Sequence, residues 1–226
     1  MNPGVFAAPT HWLAGAHLAK VVSVQDPKSL GRVQVQLLTA DPDGEAPVWA
    51  RVAVAFAGDN YGAFFLPDVG CEVLVQFLAG ETTHPIVIGT LWNGATSVPE
   101  DLGGDKVDRW AINGKNGTRI AIVEESSGQE KVEISTPNGA KATLTDASGG
   151  EIKLEVAGNT FKMGTSGVSI ETSSQCKITA SSMTISAGSV SVDAGMAKFS
   201  GTVQCASLVT NAVTSPSYTP GAGNVW

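Results

Sequence analysis

Three features of the sequence predict an all-β protein: a small N-terminal barrel followed by a ribbon of short strands. Eight of the 11 prolines precede residue 100, and none lies between Pro137 and Pro216. A proline-free stretch can donate every backbone N–H to a ladder. Residues 17–91 hold short β-rich runs divided by turn formers, with no amphipathic helical pattern. Beyond residue 118 apolar and polar residues alternate in a repeating way.

The first half supplies the barrel. His17–Gln25, Gly31–Leu38, Val48–Phe56, Ala63–Leu66, Glu72–Leu78 and Pro85–Leu91 read as strands. Asp26-Pro27, Asp41-Pro42-Asp43-Gly44, Gly58-Asp59-Asn60 and Ala79-Gly80-Glu81 separate them as turns. So many short strands in so little chain imply a closed barrel. Residues 94–113 carry no evident strand period and read as a linker.

The second half is a repeat. Apolar pairs recur at Ile120/Ile122, Val132/Ile134, Ala142/Leu144, Ile152/Leu154, Phe161/Met163, Val168/Ile170, Cys176/Ile178, Met183/Ile185, Val190/Val192 and Ala197/Phe199. From residue 168 the pairs begin at 168, 176, 183, 190 and 197. Such a ribbon has one apolar stripe and too few large side chains to build a second layer against itself. A single chain coiled as a solenoid would bury the stripe. Three identical chains wound about a common axis would do so too, and the small Val, Ile, Ala and Met at inward positions suit a narrow shared core.

Composition fits this division and excludes several classes. The 226 residues are 42% hydrophobic, 15% charged and 6% aromatic, which supports a core and excludes an intrinsically disordered chain. Ten of the 14 aromatics lie in residues 1–110, whereas 30 of the serines and threonines lie in residues 101–226 against nine before. A balance of 14 basic against 21 acidic residues, net −7, opposes a grip on nucleic acid or anionic membranes. No run approaches the roughly 20 apolar residues of a membrane span. The N-terminus MNPGVFAAPTHWLAG has neither the basic nor the apolar region of a signal peptide. Three scattered cysteines, Cys71, Cys176 and Cys205, form no disulfide framework, so synthesis in a reducing cytoplasm is expected.

Asp26-Pro27, Gly31-Arg32-Val33-Gln34-Val35, Val48-Trp49-Ala50-Arg51-Val52, the run Gly62-Ala63-Phe64-Phe65-Leu66-Pro67-Asp68-Val69-Gly70-Cys71-Glu72-Val73-Leu74-Val75-Gln76-Phe77, then Gly80, Pro85 and Gly89 follow one another across residues 17–92. In this order they resemble the OB-fold domain of the VgrG and phage baseplate assembly protein V (central spike) family. The repeat half resembles the trimeric β-helical needle that follows that domain. The segment from Thr210-Asn211-Ala212-Val213 to Tyr218-Thr219-Pro220-Gly221-Ala222-Gly223-Asn224 is similar to the ends of extracellular-type spikes. The resemblance implies five parts: an N-terminal segment 1–16, an OB-fold domain 17–93, a linker 94–117, an intertwined trimeric β-helix 118–210 and a tip segment 211–226.

Within the resemblance Gly31, Arg32, Val33, Trp49, Arg51, Pro67, Gly70, Glu72, Gly80, Pro85 and Gly89 are architectural. Gly31 permits the turn before a strand, while Pro67 and Gly70 shape the backbone ahead of Glu72–Phe77. Pro216 and Pro220 would stop the ladder, and Gly221 and Gly223 would let the chain fold back. Tyr218, Val225 and Trp226 would then offer an apolar platform to a PAAR-type tip protein or effector.

The family reading implies a structural central spike, not an enzyme, that sits on a baseplate hub and touches a target membrane only on firing. It implies a homotrimer assembled in the cytoplasm and incorporated in the baseplate of an injection particle. Only 16 residues precede the first expected strand, so a separate protein would supply the hub. Some relatives insert a lysozyme domain after the barrel, a place filled here by the short linker. Others hold a tip metal with His-x-His, whereas His11, His17 and His84 all lie in the first half, so neither metal nor cofactor is expected.

Catalytic readings fare poorly on the residues alone. The carboxylates of Glu124/Glu125, Glu133, Glu151/Glu155, Glu171 and Asp193 alternate with lysines as a solvated strand face would. No Gly-x-Ser-x-Gly elbow, Cys/His pair or phosphate loop is present. A trimeric β-helical tail fibre or carbohydrate-binding module is the alternative.

Overall fold

The computed structural model describes residues 15–217, which divide into two units, residues 15–175 and 176–217. The first unit opens with a closed barrel of β1 (Ala16–Ser23), β2 (Val33–Leu37), β3 (Val48–Val52), β6 (Glu72–Phe77) and β7 (Pro85–Leu91), in the order β1-β2-β3-β7-β6. All neighbours are antiparallel except β3 and β7, which run parallel. Alternation sends Ala19, Val21, Val33, Val35, Ala50, Val73, Val75 and Val87 inward, with Phe77 closing the cluster. Five strands enclose little space, so valine and alanine fill it where larger side chains would not fit.

Between β3 and β6 the chain departs from the expected pattern. Ala63–Leu66 forms no strand; instead β4 (Ala57–Gly58) and β5 (Tyr61–Gly62) make a minimal hairpin. Asn60 takes the left-handed conformation its turn demands, with φ +60°. Gly58 lies so close to the Tyr61 ring that any Cβ there would collide with it.

The rest of the first unit is a seven-stranded meander of β8 (Arg109–Asn113), β9 (Arg119–Val123), β10 (Lys131–Ser135), β11 (Lys141–Thr145), β12 (Glu151–Val156), β13 (Asn159–Gly164) and β14 (Gly167–Glu171). Each strand pairs antiparallel with its sequence neighbours alone. The strand β8 corrects the sequence reading of residues 94–113 as linker throughout. One alternation, Arg109-Trp110-Ala111-Ile112-Asn113, is too short to stand out beside the irregular residues before it, yet it pairs fully with β9.

Residues 176–217 contain neither helix nor strand, and among the described residues no backbone–backbone hydrogen bond joins any of them. The chain bends at Ser181, Gly188 and Gly195, seven residues apart, in step with the apolar repeat. Beyond them it bends at Ser200-Gly201, Ala206, Asn211 and Pro216, and the large apolar residues Val203, Leu208 and Val213 recur every five. This second period is inconspicuous in the sequence, where single apolar residues replace the pairs.

One turn in the meander is chemically mismatched. Ala157 and Gly158 form the two-residue link between β12 and β13 with φ +48° and +78°, a type I′ turn with alanine where asparagine or glycine is favoured. Ala157 is exposed. Ala157→Asn is expected to stabilise the protein by about 1 kcal/mol by relieving the left-handed alanine, read as a raised midpoint in denaturant unfolding.

Candidate assembly surface

The ladder registers place every apolar pair of the meander on one face. One column runs Ile112, Ile120, Ile134, Ala142, Leu154, Phe161 and Ile170; the other runs Trp110, Ile122, Val132, Leu144, Ile152, Met163 and Val168. With strands about 4.8 Å apart, the stripe extends roughly 29 Å across the strands. It is open to solvent in the single chain: Ile120 and Leu154 are each 47% exposed and Val168 62%. On the opposite face Ala121 and Val123 are 2% exposed. The large apolar side chains thus occupy the uncovered face, and the face carrying the charges is the better covered.

Ion pairs organise that polar face. Glu133 receives Arg119 at 2.9 Å, Lys141 at 3.3 Å and Lys131 at 3.5 Å. Burial works against its charge, but Lys141, Lys131 and Arg119 hold Glu133 below the ordinary glutamate value. Lys153 meets Glu155 at 2.8 Å and Lys162 meets Glu151 at 2.6 Å. These three glutamates, candidates for hydrolytic chemistry by composition, are each engaged by a lysine neighbour.

A strap crosses from the segment before β8. Arg119 donates Nε–H to Glu100 Oε1 at 2.6 Å and Nη2–H to Oε2 at 3.1 Å, a bidentate pair, and the Asn113 side-chain amide donates a further hydrogen bond to Oε1 at 3.1 Å. Arg109 lies 3.8 Å from the same carboxylate while binding Asp108 at 2.7 Å and Glu125 at 2.8 Å. Arg119 and Asn113 hydrogen bonds outweigh burial and, with the charges of Arg119 and Arg109, lower Glu100 from 4.5 to about 2. Sequence reasoning missed this network, since Glu100 and Arg119 are 19 residues apart and no local pattern joins them.

The barrel motifs also acquire places. Asp26 accepts from the backbone N–H groups of Lys28, Leu30 and Arg32 and, at 2.6 Å, from the Arg32 guanidinium, which lies 5.5 Å from the Trp49 ring. Above all the Arg32 hydrogen bond holds the Asp26 carboxyl well below the usual carboxylate range. Gly31, at φ +68°, turns the chain between these partners, and Gly70 and Gly80 are left-handed as well. Val33 and Pro85 are buried, Gly89 sits at the register shift between β6 and β7, and Glu72 accepts from Asn93 at 3.1 Å. Arg51 is exposed on β3, and Pro67 is buried in the loop before Gly70.

Other sequence candidates scatter. His17 meets Phe77 edge-on at 5.7 Å and His84 lies 3.3 Å from Glu81; among the described residues no group of three metal-ligating side chains forms. Cys71 lines the barrel wall, and Cys176 and Cys205 are exposed. Tyr218, Pro220, Gly221, Gly223, Val225 and Trp226 lie outside the described residues.

A closed five-stranded barrel with inward valines, followed by a single-layer ladder with one uncovered apolar face, is an architecture consistent with an OB domain and a β-rich extension. Over residues 17–92 the chain matches the family described as the Type VI secretion system/phage-baseplate injector OB domain. The barrel segment is thus similar to the VgrG and phage baseplate protein V family. It is 34% identical over 109 residues to the Type VI secretion system spike protein VgrG4b of Pseudomonas aeruginosa, covering 45% of this chain and 14% of that protein. The Type VI secretion system spike protein VgrG3 of Vibrio cholerae is 30% identical over 128 residues, 52% of this chain and 13% of that one. An actin cross-linking toxin, VgrG1, also of Vibrio cholerae, is 30% identical over 91 residues, 39% of this chain and 8% of the toxin. The chain therefore spans about one seventh or less of the length of these relatives.

The strap makes a pH prediction. A carboxylate whose folded pKa lies below its unfolded one contributes stability in full above the unfolded value and loses it as pH falls toward the folded value. For Glu100 that window runs from 4.5 down to about 2. Glu100→Gln is expected to lower the Tm at neutral pH, with the gap to the parent closing across that window when unfolding is followed by circular dichroism.

Proposed function

We propose that this protein is the central spike of a contractile, phage-tail-like injection machine, working as a trimer and without catalysis. The observation that carries this reading is the apolar stripe. It runs across seven strands, no second layer among the described residues of its unit covers it, and it is followed by 42 residues with no ladder of their own. Three copies with stripes facing a shared axis would bury all three at once, the axis running across the strands as the stripe does. The ladderless segment would then find its hydrogen-bond partners in the other two copies, as an intertwined β-helix.

In this reading the barrels sit on a hub at the end of the inner tube, and the needle points away. Sheath contraction drives the tube forward, and a thin rigid shaft concentrates the force on a small area of the target envelope. The Lys, Glu, Ser and Thr of the outer face keep the shaft soluble. Assembly takes place in the cytoplasm, and the finished spike is carried in the baseplate. The segment 211–226, with Tyr218, Val225 and Trp226, docks a PAAR-type tip protein or effector. Names of the relatives as spike proteins and the barrel family match support the assignment.

Light scattering on the purified chain is expected to give three times 23.2 kDa; a monomer would sink the spike reading. Deleting residues 217–226 should release the tip protein from purified particles while leaving the trimer intact. Unchanged retention would remove the docking role of this segment.

A further inference from the structure

Resting on the trimeric reading, we infer that the three copies join through two different kinds of contact in a fixed order: finished sheets dock first by their apolar faces, and residues 176–217 exchange main-chain pairing only afterwards. The two parts of the shaft differ in where their backbone hydrogen bonds go. In residues 109–171 every strand pairs with its sequence neighbour, so the ladder is complete within one chain. Residues 176–217 have no ladder, and among the described residues none of their backbone groups bonds to another backbone group.

Kinetics and thermodynamics then act in the same direction. Pairings between consecutive strands close short loops, and hairpins form in about 1–10 μs without any second molecule. Pairing between copies is bimolecular or higher and depends on concentration. For residues 176–217 each ordered residue costs backbone entropy that only partner strands can offset. Docking of the sheets raises the local concentration of the other two segments and so removes most of the separate cost of bringing three chains together.

The chemistry of the two parts is suited to this sequence of events. The apolar columns of the sheet contain Ile, Leu, Val, Phe, Met and Trp and present their stripe before any partner arrives. The following segment is proline-free up to Pro216, which leaves each N–H free for a partner strand. Its apolar pairs thin to single residues, Val203, Leu208 and Val213, so it has progressively less side-chain surface with which to start an association.

Two substitutions separate the steps, read on the full-length chain by light scattering and by hydrogen exchange with mass spectrometry. Leu144→Asp places a charge at a site 47% exposed in the single chain, so the sheet tolerates it while docking does not. It is expected to give a 23.2 kDa species with residues 109–171 still protected and residues 176–217 exchanging at the rate of unstructured peptide. Val192→Asp, in the distal segment, is expected to keep the trimeric mass and the protection of residues 109–171 while residues around 176–217 lose theirs. A monomeric Val192→Asp chain beside a trimeric parent would overturn the order proposed here and leave the trimeric reading standing. Protection of residues 176–217 in monomeric Leu144→Asp, or its loss throughout residues 109–171, would also overturn it. A monomeric parent would remove the trimeric reading itself.

Discussion

A sheet one layer thick has two faces, and water can satisfy only one that is polar. In this chain the meander β8–β14 meets that constraint by carrying its charges on one side and two columns of apolar residues, large at every position but Ala142, on the other. Among the described residues of its own unit nothing covers the second face: the barrel has its own closed core, and the ion-paired face is the better protected of the two. Roughly 1.5–3 kcal/mol accompanies full burial of each such side chain, so the stripe is a strong drive to association. In the trimeric reading proposed above, the direction of the stripe, across the strands, sets the direction of the shaft.

Much of this was legible in the sequence because both periods involved are short. Valine alternation in Val33–Leu37 and Glu72–Phe77 marks barrel strands directly, and the pairs from Ile120/Ile122 to Val168/Ile170 fall at the observed ladder positions. Failures came where the signal was brief or distant. Ala63–Leu66 looks β-rich by composition, but no partner strand lies beside it, and the chain pairs Ala57–Gly58 with Tyr61–Gly62 instead. Trp110 and Ile112 give β8 a single alternation, too little to set it apart from the linker. The five-residue spacing of Val203, Leu208 and Val213 was hidden because the preceding step of seven ends in pairs.

The architectural glycines and charged residues of the barrel illustrate a different limit. Asp26 reads as a turn former next to proline, yet its carboxylate gathers three backbone N–H groups and a guanidinium that in turn lies near Trp49. The chemistry was readable residue by residue, whereas the convergence was not, because it depends on how β2 and β3 are set side by side. The sheet's carboxylates show the same limit: their alternation with lysine was plain, but the choice of Glu133 as the meeting point for Arg119, Lys131 and Lys141 is a property of register.

The Glu100 strap bears on how stiff the joint after the barrel can be. From the end of β7 at Leu91 to the start of β8 at Arg109, an unrestrained chain could reach about 60 Å. Asn93 is tied back to Glu72, and Glu100 is clamped to Arg119, so the slack between anchors shrinks to about 24 Å. A push entering at one end of such a joint loses less travel to stretching than it would through an open tether. The Glu100–Arg119 ion pair thus adds to the stiffness of the joint beside the Lys115–Asp68 pair that links the β8–β9 turn to the barrel, and its share softens wherever salt or acid weakens it.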